Sequence, residues 1–494
     1  MDWREDYKQK LTTPQEAVKI VKSGDRVAVG GSIDEPDALP NALWERRGEL
    51  RDMRVYHLCP MKDYGWGQPG SEERFEVEVI GFIGPISRPR ANEHRISLIP
   101  NGWYLSGKTN ERAKEKKDID VFFVRVSPPN DRGFFCFGSE LWLKKDWAGN
   151  AKKVVVEVDS NCPWVYGDGW IHISQVDAIV EHDSPSMTDD ELKAKVATIE
   201  PLEKRERILQ YCLDMFPHQR PLLMMFFEMM DVNGIDSFAE TIGLIVPKGQ
   251  EKIMETIAGY VNELMRDGDC FQIGQGSPSG FLPRFGAFAG KSDLGYHAEM
   301  TARGVCTMIK EGQITGKCKN IHRGKAVFNS FAGMSPAEAV YAIDNPQFEV
   351  YSASYVTDPR VISSNDNMVA INNGLSVDLT GQINAEVIFG RMLIGGPGGQ
   401  PDSQLGALMS KGGRGITVLR SAVMGGSISS IVAQFEPGTV ATVGRHYADY
   451  IVTEYGIAKL MNKNFRERAN ELIAIAHPDF REELRKEAQK LFWP

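Results

Sequence analysis

The sequence predicts an α/β protein made of two related halves, each built on a mostly parallel sheet. Three observations predict it. Short apolar, β-branched runs alternate with amphipathic helical stretches, the pattern left by parallel strands buried on both faces. A motif recurs: SGDRVAVGGSIDEPDALP (Ser23 to Pro40) is answered by DGDCFQIGQGSPSGFLP (Asp267 to Pro283), each with Gly-Asp, a strand-like run, glycines and a closing Leu-Pro. Tyr56-His57 and Tyr296-His297 repeat at nearly the same spacing, about 240 residues, which favours duplicated domains over a chance likeness of glycine-rich turns.

The elements follow in order. TPQEAVKIVKSG is an amphipathic helical stretch that leads into the first repeat, and VFFVRVS (Val121 to Ser127) and KVVVEVD (Lys153 to Asp159) read as buried strands. TDDELKAKVATIEPLEKRERILQYCLDM is charged and helical, which suits a connection between domains. A boundary near residues 220–230 follows, with domains of 1–225 and 226–494 and no low-complexity linker between them. KIMETIAGYVNELMRDG then leads helically into the second repeat, and GITVL (Gly415 to Leu419) supplies a later strand.

Size and composition narrow the function. A chain of 494 residues has room for two or three domains with well-buried cores. Hydrophobic residues at 42% and charged residues at 25% fit a soluble globular protein. The net charge of −9 argues against a nucleic-acid surface, yet leaves room for a local basic pocket for an anionic cofactor. The amino terminus, MDWREDYKQK, lacks an apolar segment and no run approaches 18 apolar residues, so neither a signal peptide nor a membrane span is expected. The seven cysteines are scattered without CxxC, as in reduced, cytoplasmic proteins, and with the nine histidines they show no metal-ligand spacing.

The chemistry gathers in the second half. GYHAEM (Gly295 to Met300) offers one carboxylate, Glu299, among small and apolar neighbours, downstream of a glycine-rich loop. A carboxylate serves as a nucleophile when an activated acyl intermediate must be reversed at little cost. Taken alone, Glu299 reads more often as a salt-bridged or solvated residue than as a catalyst, and His297 as an ordinary packed or capping histidine; the pairing of Glu299 with two glycine-rich loops in the same half favours chemistry. The first loop, Gly274 to Gly280 (with Gln275, Gly276, Ser277 and Pro278), ends a strand and precedes an expected helix, PRFGAFAG. Its glycines permit positive φ and close approach of backbone N–H groups to an anion. It matches neither GxGxxG nor a P-loop, so nicotinamide and nucleotide-triphosphate chemistry are not indicated. The second loop, IGGPGGQPD, places Gly395, Gly396, Gly398 and Gly399 around Pro397, either as amide donors for an oxyanion or as a structural hairpin. MSKGGRG sets Lys411 and Arg414 beside glycines, as a phosphate contact or a solvated turn. No G-x-S-x-G elbow is present. Cys59 falls where the first half aligns with Glu299, in an apolar context, HLCPM, that reads as structural.

These residues carry a resemblance. GYHAEM, NDNMVAIN (Asn365 to Asn372), VDLTGQIN (Val377 to Asn384), GGPGGQPD, VTEYGIAKL (Val452 to Leu460) and IAHPDFR (Ile475 to Arg481) run in the order found in family I CoA-transferases of the acetyl-CoA hydrolase/transferase group, which includes the 4-hydroxybutyrate and butyryl-CoA:acetate enzymes. The first half resembles the family more loosely, through GDRVAVGG and AKKVVVEVD. The resemblance implies two similar open, mostly parallel α/β domains with the active site at their interface. It implies that Glu299 is the acylated glutamate, that Gly274 to Pro278 touches CoA, and that Gly395 to Gly399 supplies amide donors. The family often has asparagine where this chain has Thr357, and Asp-Phe where it has Asp402-Ser403; by the resemblance, Arg420 stands where some members have a lysine near CoA. The expected activity is acyl-CoA:carboxylate CoA transfer on short-chain acids, with coenzyme A as acyl carrier, no metal, and a homodimer or larger homo-oligomer. An acyl-CoA hydrolase of the same fold and a non-catalytic CoA-binding protein are the alternatives.

Overall fold

The computed structural model describes residues 2–84, 86–107, 119–241, 243–246 and 248–494, with Thr241 by its backbone alone. Two compact units make up the chain: Met1–Ile235 with Asn329–Phe331 and Ala339–Tyr355, and Asp236–Phe328 with Ala332–Glu338 and Val356–Pro494. The two late stretches join the first unit through backbone hydrogen bonds. The Leu141 amide donates to the Asn329 carbonyl (3.0 Å), the Phe331 amide to the Ser139 carbonyl (3.0 Å), and the Ala353 amide to the Trp142 carbonyl (2.8 Å).

The first unit holds a seven-stranded sheet of β1 (Arg26–Val29), β2 (Met53–Leu58), β3 (Phe75–Ile80), β4 (Ser97–Ile99), β5 (Ile119–Val126), β6 (Ala151–Val158) and β7 (Ala178–Glu181). Its order is β4-β3-β2-β1-β5-β6-β7, with every pair parallel. The central β5 is buried along nearly its whole length, which is why VFFVRV carries apolar residues on both faces. Each of its fully buried Phe and Val side chains contributes on the order of 1.5–3 kcal/mol. Helix α1 (Ala38–Glu45) follows the glycine turn after β1, and α2 (Leu202–Leu213) lies in the charged connecting stretch.

The second unit holds a six-stranded sheet of β8 (Cys270–Ile273), β9 (Gly295–Tyr296), β10 (Met368–Asn373), β11 (Arg414–Val418), β12 (Tyr450–Thr453) and β13 (Gly456–Lys459). The order is β9-β8-β10-β11-β12-β13; only β12 and β13, joined as a hairpin, are antiparallel. Helix α3 (Glu251–Leu264) buries Met254, Ile257, Ala258 and Val261, one face at i, i+3, i+4 and i+7. Three further helices are α4 (Gln400–Met409), α5 (Phe465–Ile475) and α6 (Arg481–Phe492). Asn464 and Glu467 start α5 by exchanging hydrogen bonds with each other's backbone amides (3.0 and 2.8 Å).

The internal repeat holds at the level of strand register. Val27 pairs with Val55 and Val121, and Phe271 pairs with Tyr296 and Val369. Beyond each strand, the Gly30 amide donates to the Phe123 carbonyl (2.9 Å) and the Gly274 amide to the Ile371 carbonyl (2.8 Å). Two residues later both chains turn left-handed, Ser32 at φ 69° and Gly276 at φ 84°. One correction follows. The register matches Val55 to Tyr296, so Leu58, and not Cys59, stands at the position of Glu299. The Tyr-His pairs that guided the sequence match are themselves one residue out of step between the two sheets.

Candidate active site

Glu299 owes its place to an edge strand that ends early. Gly295 and Tyr296 pair with β8, and the His297 amide still donates to the Phe271 carbonyl (3.1 Å). The next amide, Ala298, donates instead to Val327 (3.0 Å), so the chain leaves the sheet just before Glu299. Strand alternation turns Tyr296 and Ala298 into the core, and gives His297 and Glu299 the other face. The Tyr296 hydroxyl donates to the Met300 carbonyl (2.6 Å) and fixes the bend that follows. His297 is the packed histidine that the sequence allowed: Nε2 donates to the Val356 carbonyl (2.9 Å), and burial pushes its pKa down to about 3. It therefore stays neutral at any working pH and is no general acid for Glu299.

The first loop leaves β8 at its carboxyl end, where parallel sheets gather their ligands. Gly276 takes positive φ, the Ser279 hydroxyl donates to the Gly274 carbonyl (2.7 Å), and the Gly280 amide donates to the Gly276 carbonyl (2.8 Å). The helix expected over PRFGAFAG is displaced. A 3₁₀ turn runs instead over Ser279–Phe285 and stops at Gly286, whose φ of 89° ends it. The Gln275 side chain donates to the Thr301 carbonyl, two residues beyond Glu299.

The second loop is no hairpin. It runs into α4, with Gly399 as N-cap and Pro401 in the first turn, so Gly399 lies at the positive end of a ten-residue helix. Gly399 lies against the nucleophile candidate: a Cβ there would overlap the Glu299 carboxylate and stand 3.3 Å from Cγ2 of Thr357. Thr357 is itself buried. Glu299, Gly399 and Thr357 thus meet at one point.

Side-chain amides join the two loops, and the sequence reading assigned them no role. Gln272 and Asn372 exchange hydrogen bonds (3.0 and 3.3 Å), and Asn372 also donates to the Ser403 hydroxyl (3.1 Å), which donates to the Gln400 carbonyl (3.1 Å). Ser403, where the family often has Phe, is buried as part of this network. Next to it, Asn373 accepts from the Ser279 amide (2.9 Å), donates to the Gln275 carbonyl, and receives the Gln400 side chain on its own carbonyl (3.0 Å). The available signal was two amides ending an apolar run, MVAINN, at the carboxyl end of a buried strand.

Two weaker candidates lie elsewhere. Lys411 precedes β11, at the amino edge of the sheet and so opposite Glu299; its carbonyl accepts from the Asn367 amide (2.8 Å). Arg414 beside it is neither a phosphate contact nor a solvated residue: it is buried and ion-paired with Asp269. Arg420 follows β11 on the carboxyl edge, where its guanidinium donates to Gln250 (2.6 Å). Among the described residues, no group of three His, Cys, Asp or Glu side chains is arranged to hold a metal ion, and no helix is long and apolar enough to cross a membrane.

Known proteins share this architecture. The acetyl-CoA hydrolase/transferase N-terminal domain matches residues 1–188, and the C-terminal domain of the same family matches 338–488, so Glu299 falls between the matched stretches. A 4-hydroxybutyrate coenzyme A transferase from Clostridium kluyveri is 33% identical, with 100% of each chain covered. The crystal structure of RipA from Yersinia pestis matches with a TM-score of 0.78 at 29% identity, covering 99% of each chain. That of a 4-hydroxybutyrate CoA-transferase from Porphyromonas gingivalis matches with a TM-score of 0.70 at 28% identity, covering 99% of this chain and 100% of its own. The chain belongs to the acetyl-CoA hydrolase/transferase family, as an enzyme of the CoA-transferase class with the family I CoA-transferase fold.

Proposed function

We propose that this CoA-transferase moves CoA from an acyl-CoA donor to a free carboxylic acid by ping-pong exchange, with Glu299 as the nucleophile. One observation carries the reading: a half-buried carboxylate stands at the carboxyl edge of a parallel sheet, against the glycine N-cap of α4. The Glu299 carboxylate attacks the thioester carbonyl, the C–S bond breaks, and CoA leaves as a thiolate from an acyl-glutamyl anhydride. The thiolate then attacks the glutamyl carbonyl, expelling the donor acid and leaving a glutamyl-CoA thioester. An incoming carboxylate runs both steps backwards and departs as the new acyl-CoA. One thioester replaces another, so the exchange is close to isoenergetic.

Each step passes through a tetrahedral oxyanion. Amides of Gly395, Gly396, Gly398 and Gly399 are suited to it, with the dipole of α4 adding to them, and loss of one such donor costs ~3–4 kcal/mol. The turn of Gly274, Gln275, Gly276, Ser277 and Pro278 is suited to CoA, whose remote contacts press the thioester onto Glu299. Water has to be kept from the anhydride, or transfer becomes hydrolysis. Short-chain acyl groups, with acetate as a partner acid, are the first substrates to assay. We infer a cytoplasmic enzyme from seven cysteines that form no disulfide, six of them buried, and a homodimer or larger homo-oligomer as its assembly.

Glu299→Gln tests the assignment. The variant should fold and melt as the parent does, yet lose transfer. Acyl-CoA alone should load the parent with a borohydride-reducible thioester on the Glu299 peptide, and initial-rate plots should be parallel. Normal turnover by the variant would remove Glu299 from the reaction, and CoA release independent of added carboxylate would make the enzyme a hydrolase.

A further inference from the structure

We propose that Asn373 is a positioning residue for the transfer reaction, setting the separation of the two glycine turns on either side of Glu299. The inference rests on the transferase reading above. Asn373 closes β10, and three of its polar groups reach two different loops. Its Oδ1 accepts from the Ser279 amide (2.9 Å) and its Nδ2 donates to the Gln275 carbonyl, both in the first turn. Its backbone carbonyl accepts from the side chain of Gln400, the residue after Gly399 (3.0 Å). Gln275 continues to the Thr301 carbonyl, and Gly399 abuts the Glu299 carboxylate. Three hydrogen bonds (Gln275 to Thr301, Asn373 to Gln275, Gln400 to Asn373), the chain link from Gln400 to Gly399 and the close approach of Gly399 to Glu299 therefore form a circuit around the nucleophile. Asn373 acts in it through Gln275 and Gln400.

The chemistry of the amide explains why asparagine serves here. A single planar group must face an N–H with an acceptor and a C=O with a donor, on neighbouring atoms. Aspartate has the same shape and keeps the acceptor for Ser279. Ionised, it turns a lone pair toward the Gln275 carbonyl; protonated, it donates there as asparagine does. Each hydrogen bond adds little to stability, whereas a shift of about 1 Å in reacting groups costs on the order of 100-fold in rate. A positioning role therefore predicts a large effect on kcat and a small one on folding.

The test compares full-length Asn373→Asp with the parent protein in butyryl-CoA:acetate exchange, reading kcat, KM and thermal melting together. The variant-to-parent ratio of kcat should be about 1/100 at pH 8, where the substituted carboxyl is ionised, with KM and melting near those of the parent. A ratio of kcat near one at pH 8, or a loss confined to KM or to melting, overturns the proposal. Gln400→Met provides a second reading should the first variant fail to fold: kcat should fall roughly tenfold, and an unchanged kcat overturns the circuit. Parent protein that takes up no CoA from acyl-CoA would instead overturn the transferase reading itself, a result separate from either ratio.

Discussion

Gly399 is the residue at which the candidate site tolerates least. Its conformation is ordinary, so the constraint is space: a Cβ would occupy volume held by the Glu299 carboxylate, with Thr357 closing the other side. Gly399→Ala must therefore displace Glu299. We expect kcat for transfer to fall on the order of 100-fold while the melting temperature stays near that of the parent, as initial rates and calorimetry on the same preparation would show. Gly276 is constrained differently. Its φ of 84° suits glycine, and the equivalent Ser32 accepts φ 69° at a cost of about 1–2 kcal/mol. Ser32 regains part of this through its hydroxyl, which donates to the buried Glu140 carboxylate (3.3 Å).

At the scale of elements, the second sheet separates stability from chemistry by its two edges. On the amino edge, Arg414 at the start of β11 pairs with Asp269 before β8 and also donates to the Leu264 carbonyl at the end of α3 (3.0 Å). Burial raises the pKa of Asp269 and lowers that of Arg414, both against the charged pair, so the pair persists through its hydrogen bonds. Arg414→Leu leaves Asp269 buried without its partner. Urea unfolding should show a loss of about 3–5 kcal/mol, with turnover per folded molecule unchanged. This division was partly legible in advance. Strands such as VFFVRV were readable because burial on both faces leaves an apolar run, and the glycine turns because only glycine tolerates their backbone or crowding. Glycines beside a cation, as in MSKGGRG, look alike on either edge of a sheet, and only the strand direction separates them. The pairing of Gln272 with Asn372 was not legible, since the two lie 100 residues apart and meet only once β8 pairs with β10. The helix over PRFGAFAG failed for a local reason, a left-handed Gly286 in its middle.

Over the molecule as a whole, the first unit keeps the frame of the second and fills it with other groups. Glu140 is fully buried there, with one carboxylate oxygen accepting from Trp142 (2.9 Å), Ser330 (2.8 Å) and Ser32, and the other without a partner. Desolvation, then the nearby Asp34, pushes its pKa up to about 7. The folded chain thus holds a proton that the unfolded chain releases near its ordinary value of 4.5. This stabilisation is present at acid pH and is lost as pH rises through about 7. Unfolding at pH 5.5 and 8 should differ by about 2 kcal/mol more in the parent than in Glu140→Gln, with the parent weaker at pH 8. The register that matches Leu58 to Glu299 has a consequence for how much cofactor the enzyme can carry. Of the two positions that the register matches, one bears a carboxylate and the other a hydrocarbon that can form no thioester. With Glu299 as the proposed nucleophile, full labelling should saturate at a single equivalent of CoA per polypeptide, as mass spectrometry of the loaded protein would show, however many polypeptides assemble.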